Sequence, residues 1–185
     1  MHTDIQQAIQ NLQQGKTILY PTDTIYGIGC DATNEAAIEN VFVIKNRPKE
    51  KSLIVLMNTI EMLKQYVQIN ADLEKLIISF KEPTTIIYAN PVGLAQNAIN
   101  ADNTIAIRIP RHPFCQALIK EFGKPIISTS ANISGENSPL SFDDISKEIK
   151  RKVDFIVDEK YDTSNYKQPS RLIKINKDFS IEYLR

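Results

Sequence analysis

Five short apolar runs place the strongest limit on how this chain can fold: Lys16–Tyr20 (KTILY), Ser52–Met57 (SLIVLM), Pro83–Tyr88 (PTTIIY), Thr104–Ile109 (TIAIRI) and Pro125–Thr129 (PIIST). Each is only five or six residues long. Runs of that length, rich in Ile, Val and Thr, read as buried strands rather than helices. Pro21 stops the first and Pro110 closes the fourth. Val153–Val157 and Arg171–Ile175 read as two late strands. Helical spacing lies between the runs. Ile5, Ala8, Ile9 and Leu12 share one face before Gly15. Asn34 is placed to cap a helix running to about Asn46, with Ile38, Val41 and Phe42 on one side and Pro48 ending it. Residues 60–80 hold one or two helices, Pro113–Phe122 another that Gly123 ends, and Asp143–Lys150 a polar one. Strands alternating with helices predict an α/β fold with a mixed, twisted sheet. Residues 1–185 show no repeat, low-complexity tract or linker, so one domain is expected.

Composition excludes several classes. With 42% hydrophobic and 24% charged residues, the chain carries too much apolar content for disorder. No run approaches the roughly 20 apolar residues of a membrane span. The start, MHTDIQQAIQNLQQG, is polar and amphipathic rather than a secretory leader, so a cytoplasmic location and no membrane partner are expected. Basic and acidic side chains balance at 22 each, which does not point to a strongly cationic nucleic-acid binder. Cys30 and Cys115 are too few for a disulfide framework and form no CxxC, so two free thiols are expected. His2 and His112 are the only histidines, which argues against a histidine-rich metal site. His112, before Pro113, reads as a helix-start residue rather than a catalytic base.

Four segments carry possible chemistry. Gly27-Ile28-Gly29-Cys30-Asp31-Ala32 matches GxGxxA, but the glycines do not follow the strand directly, and Lys49, Glu50 and Lys51 stand where a ribose-binding carboxylate belongs. That stretch, Glu50 included, is a basic loop rather than the expected strand end, so glycines that permit a tight backbone path are the better reading. No GxxxxGK[ST] is present. Lys45-Asn-Arg47-Pro-Lys49-Glu-Lys51 puts four cations and one acid in seven residues at a helix end. Cations there can be a solvated helix terminus. Yet Lys45, seven positions after Ile38, shares the apolar face and points toward the sheet, as a polyphosphate site would need. In the third segment, Ser128-Thr129-Ser130-Ala-Asn132-Ile-Ser134-Gly135 opens from the end of a buried strand. It is either ordinary loop composition or hydroxyls and an amide gathered in a ligand crevice. Arg108 lies inside an apolar strand and must pair, either with an internal acid or with a substrate carboxylate.

These segments together resemble the YrdC-like threonylcarbamoyl-adenylate synthases. The pieces are PTDTIYGIGCDA (21–32), KNRPKEKSLIVL (45–56), TIAIRIPRHP (104–113), KPIISTSANISG (124–135) and QPSRLIKI (168–175), covering most of the chain in order. The resemblance implies a single YrdC-like domain: an open twisted sheet with flanking helices, in the short bacterial form. It implies a nucleotidyltransferase that joins L-threonine, bicarbonate and ATP into threonylcarbamoyl-AMP and releases pyrophosphate. The product would serve threonylcarbamoyladenosine (t6A) formation at position 37 of tRNAs reading ANN codons. By position, Lys45, Arg47, Ser130 and Asn132 match the family's Lys-Arg-Ser-Asn set at the nucleotide. Thr24, Arg108 and Ser170 match positions that hold threonine. Lys51, Thr104, Ser128, Ser138 and Arg185 match positions near ATP. One segment departs: Phe80-Lys81-Glu82-Pro83 stands where the family usually has Trp-Pro-Gly-Pro.

The implied chemistry asks for positioning and charge neutralisation more than for a nucleophile. Mg²⁺ is expected to arrive on the ATP oxygens, with no protein side chain as its ligand. Downstream tRNA threonylcarbamoyl-transferase proteins are the expected receivers of the product. The competing reading is a diverged relative that binds tRNA or double-stranded RNA and makes little adenylate. The zero net charge weighs against it, since phosphate contacts drive such binding. A carbamoyl-transferring domain is a third reading. Such domains sit in long chains with acylphosphatase and zinc-finger segments, which are missing here.

Overall fold

The computed structural model describes residues 2–48, 52–164, 166–176 and 180–185. Nine strands form one mixed sheet: β1 (Ile18–Tyr20), β2 (Gly27–Gly29), β3 (Ile54–Leu56), β4 (Thr84–Ala89), β5 (Thr104–Arg108), β6 (Ile126–Ser130), β7 (Phe155–Ile156), β8 (Arg171–Ile175) and β9 (Ile181–Tyr183). Their order is β7-β1-β2-β6-β3-β5-β4-β8-β9, which leaves the sheet open at β7 and β9. Three neighbouring pairs, β1/β7, β3/β5 and β4/β8, are parallel and the rest antiparallel.

Alternation along the strands splits the apolar residues between two cores. On one face, α1 (His2–Gln13) and α5 (Pro113–Phe122) bury Ile5, Leu12, Phe114 and Leu118 against Ile18, Tyr20, Leu56 and Ile126. On the other, α2 (Glu35–Lys45) and α3 (Ile60–Tyr66) bury Ile38, Val41, Phe42 and Leu63 against Leu19, Ile28, Val55, Ile107 and Ile127. The caps fall where the sequence placed them. The Asn34 side chain accepts from the Ala37 amide, and Asn46 ends α2 in the left-handed region at φ 48°. Pro113 starts α5 and Gly123, at φ 76°, ends it.

One helix starts later than expected, one open reading is resolved and one strand is new. The predicted Asp143–Lys150 helix begins later, as α6 (Lys147–Lys152). Asp144 is spent on a turn, accepting from the Leu140 and Ser141 amides, while Ser146 becomes the cap. Residues 60–80 form two helices, α3 and α4 (Ala71–Ser79), because Asn70 caps the second. The glycine motif contains a strand, β2, between β1 and β6. A Cβ on Gly29 would sit 2.4 Å from the Ile127 carbonyl oxygen and 2.7 Å from the Tyr20 ring. Those glycines permit close strand packing.

Candidate active site

Helices α1 and α5 cover only part of their face of the sheet. The remainder is an open cavity of about 190 Å³. Its floor is a rung across three strands, Ser128 on β6, Ile54 on β3 and Ala106 on β5, which lie in register. Arg108 stands two residues beyond Ala106 on the same side of β5. Gly27 lies beside Ser128; a Cβ there would be 2.9 Å from the Ser128 hydroxyl, so glycine keeps the floor open. Three arginines, Arg47, Arg108 and Arg185, line the cavity with the hydroxyls of Thr24, Ser128, Thr129, Ser130, Ser138 and Ser170. No Asp or Glu side chain lines it among the described residues.

Each arginine arrives by a different route. Arg47 follows the end of α2, and its Nη2 donates to the Ser52 carbonyl at 2.6 Å. Arg185 comes from the chain end, which β9 folds back on β8; its Nε donates to the Ser170 carbonyl at 3.2 Å. Burial lowers the pKa of both, and Arg108 lowers that of Arg185 further. Arg108 itself is buried and pairs through Nη1 with the Asp23 carboxylate, while its buried Nε has no hydrogen-bond partner. The sequence left open whether Arg108 pairs internally or serves a ligand. The structure shows the internal pair and a guanidinium that still lines the cavity.

Hydroxyl polarity is readable at Thr24. Thr22 spends its one proton on the Ile25 carbonyl at 2.8 Å, so Thr24 must donate across the 2.9 Å contact to Thr22. Thr24 is left with lone pairs, an acceptor for an amine. Ser170 shares a 2.7 Å hydrogen bond with buried Thr85.

Of the expected site residues, Thr24, Arg47, Arg108, Ser128, Ser130, Ser138, Ser170 and Arg185 converge on this cavity. Lys45 and Asn132 do not enter its wall. Lys45 comes from α2, on the opposite face of the sheet, and its Nζ donates to the carbonyls of Ser130 and, at 2.6 Å, Asn132. Burial, helped by Arg47, pushes its pKa down to about 7. The Asn132 amide donates to the carbonyls of Ile133 at 2.9 Å and Glu136 at 2.8 Å. Both residues therefore hold the 130–136 loop from behind. Thr104 sits at the far end of β5, bonded to Asp102 at 2.6 Å, and does not line the cavity. Lys51 lies outside the described residues. His112 precedes α5 as a buried residue, its pKa lowered by burial, with Nε2 3.4 Å from the Thr163 hydroxyl. Both cysteines are free and buried, which raises their pKa values. Sequence reasoning missed Asp23, although it stands inside a quoted segment. A lone acid in a loop has no periodicity to mark it.

Phe80, Glu82 and Pro83 of the divergent segment line a second cavity of about 570 Å³, which Asp23 and Arg111 also line. The Arg111 guanidinium donates to the carbonyls of Phe80 and, at 2.9 Å, Lys81.

Known proteins resemble this chain in sequence and in fold. The family model Sua5/YciO/YrdC, described as "Telomere recombination", matches residues 10–185. A threonylcarbamoyl-AMP synthase of Pseudoalteromonas translucida is 38% identical over 161 residues, 84% of this chain and 85% of the relative. A putative threonylcarbamoyl-AMP synthase of Methanocaldococcus jannaschii is 37% identical over 171 residues, 91% of this chain and 79% of the relative. The crystal structure of P. abyssi Sua5 complexed with L-threonine superposes with a TM-score of 0.88 at 29% identity, covering 98% of this chain. The chain spans about half (53%) of that protein's length. E. coli YciO shares the fold, with a TM-score of 0.82 at 24% identity, covering 98% of this chain and 87% of YciO. By the extent of the family match and the identity to these relatives, the chain belongs to the Sua5/YciO/YrdC family.

Proposed function

We propose that this chain makes threonylcarbamoyl-AMP from L-threonine, bicarbonate and ATP, releasing pyrophosphate, in the cavity on the open face of the sheet. The observation that carries the reading is the wall itself: three arginines and eight hydroxyl-bearing side chains, with no Asp or Glu among the described lining residues. Such a wall suits an amino-acid carboxylate and a triphosphate together. The names of the relatives favour synthesis over an RNA-binding role.

The threonine amine attacks bicarbonate and, with loss of water, becomes an N-carboxylate. That carboxylate attacks the α-phosphorus of ATP and pyrophosphate leaves. Arg108 takes the threonine carboxylate, and Thr24, an acceptor, takes the amine side; Ser170 completes that end. Arg47 and Arg185 offset charge on the phosphates, and Ser128, Ser130 and Ser138 donate to their oxygens. Lys45 and Asn132 act by fixing the loop that carries Ser130. A Mg²⁺ ion would supply further charge neutralisation from the ATP oxygens. Transfer of the product to tRNA would fall to separate transferase proteins. The test is mass detection. With ATP, Mg²⁺, bicarbonate and L-threonine, the protein should yield the threonylcarbamoyl-AMP mass; ATP hydrolysed with no such species would contradict the reading.

A further inference from the structure

We infer that Asp23 is a positioning residue for substrate recognition: it holds Arg108 by one corner so that the rest of the guanidinium is presented to the threonine carboxylate. The inference rests on the reading of the cavity given above. Asp23 occupies the loop between β1 and β2, which Thr22 braces by accepting from the Thr24 amide at 3.0 Å and donating to Ile25. Its two carboxylate oxygens serve different segments. Oδ1 accepts from Arg108 Nη1, and Oδ2 accepts from the Arg111 backbone amide at 3.1 Å. Its carbonyl accepts from the Ser164 hydroxyl at 3.0 Å, which ties in the segment leading to Ser170.

Arg–carboxylate pairs frequently use both carboxylate oxygens on the guanidinium fork. Here one oxygen is diverted to Arg111. The buried Arg108 Nε has no hydrogen-bond partner, and with Nη2 it forms the fork that a second carboxylate fits. The placement agrees. Arg108 lines the first cavity, whereas Asp23 and Arg111 line the second, so the Asp23–Arg108 pair lies between the two. The side chains of Arg108 and Asp23 are 4% and 12% exposed, so water screens the pair little. Through Arg111 the same carboxylate is linked to the carbonyls of Phe80 and Lys81, which gives the divergent 80–83 segment a physical path to the site.

The experiment compares wild type, Asp23→Asn, Arg108→Ala and the double variant by L-threonine calorimetry and steady-state kinetics. The threonine KM of Asp23→Asn should rise about 10–100-fold, the range seen when a group that orients a ligating side chain is lost. Its kcat and ATP KM should stay within about three-fold. In the Arg108→Ala background, Asp23→Asn should add less than about two-fold, because the two act as one unit. A uniform loss in kcat and both KM values, or an undiminished effect without Arg108, would overturn the inference and leave Asp23 a fold residue. If the Asn variant fails to melt cooperatively, Asp23→Glu keeps the charge one methylene displaced. Its threonine KM should rise alone, and an unchanged threonine KM would overturn the inference. Wild type that binds no L-threonine would overturn the functional reading itself, and this inference with it; threonine binding unaffected in Asp23→Asn would overturn this inference alone.

Discussion

Lys45 shows how much one residue's environment decides. A lysine at a helix end reads as a phosphate ligand, yet its stem runs through the core and its nitrogen bonds two carbonyls. A neutral amine keeps two N–H groups, enough for both acceptors, so the lowered pKa and the geometry agree. The sign follows from linkage. Between about pH 7 and the ordinary lysine value of 10.5, the unfolded chain binds a proton that the folded chain does not. Stability from this group therefore rises with pH across that window, and below about 7 its charging penalty is present in full. Urea unfolding at pH 7 and pH 9 should show wild type gaining stability over Lys45→Met as pH rises. A pH-independent difference would contradict the burial described. The sequence revealed the direction of this side chain, from its seven-residue spacing to Ile38, but not its end point. Spacing along one helix says nothing of which sheet edge the tip meets.

At the scale of elements, local chemistry was legible where caps and prolines wrote it. Asn34, Pro113 and Gly123 bound α2 and α5 as expected. The two strands the sequence did not announce, β2 and β9, are three residues each; β2 owes its place to β6, far along the chain, whereas β9 folds back on β8 just before it. In β2 the glycines are demanded by packing between strands, which no local signal encodes. Gly29→Ala should therefore lower unfolding stability by about 1–3 kcal/mol, the range for forced overpacking. Gly123→Ala meets no atom within 4 Å and suffers only from its φ of 76°. It should lose about 1 kcal/mol, from the left-handed backbone alone. Equal losses in chemical denaturation would remove the packing argument for β2.

The whole molecule carries no net formal charge, yet it concentrates three arginines from distant parts of the chain around one cavity. That gathering is invisible in composition and follows from topology: β9 returns the chain end to β8, bringing Arg185 beside Ser170. Arg185→Ala should raise the ATP KM several-fold while shifting the melting temperature by no more than about 2 °C, since a partly exposed charge contributes little to stability. A large loss of stability with unchanged KM would make Arg185 a fold residue. The central claim is that this cavity performs an adenylation requiring threonine. The most direct test is pyrophosphate release by wild type and Arg108→Ala, each with and without L-threonine and bicarbonate. Release by wild type should need both, and Arg108→Ala should fall by about 10²–10³-fold at sub-saturating threonine, the scale for losing one preorganised charge contact. Release that ignores threonine, or survives intact without Arg108, would contradict the assignment of this cavity.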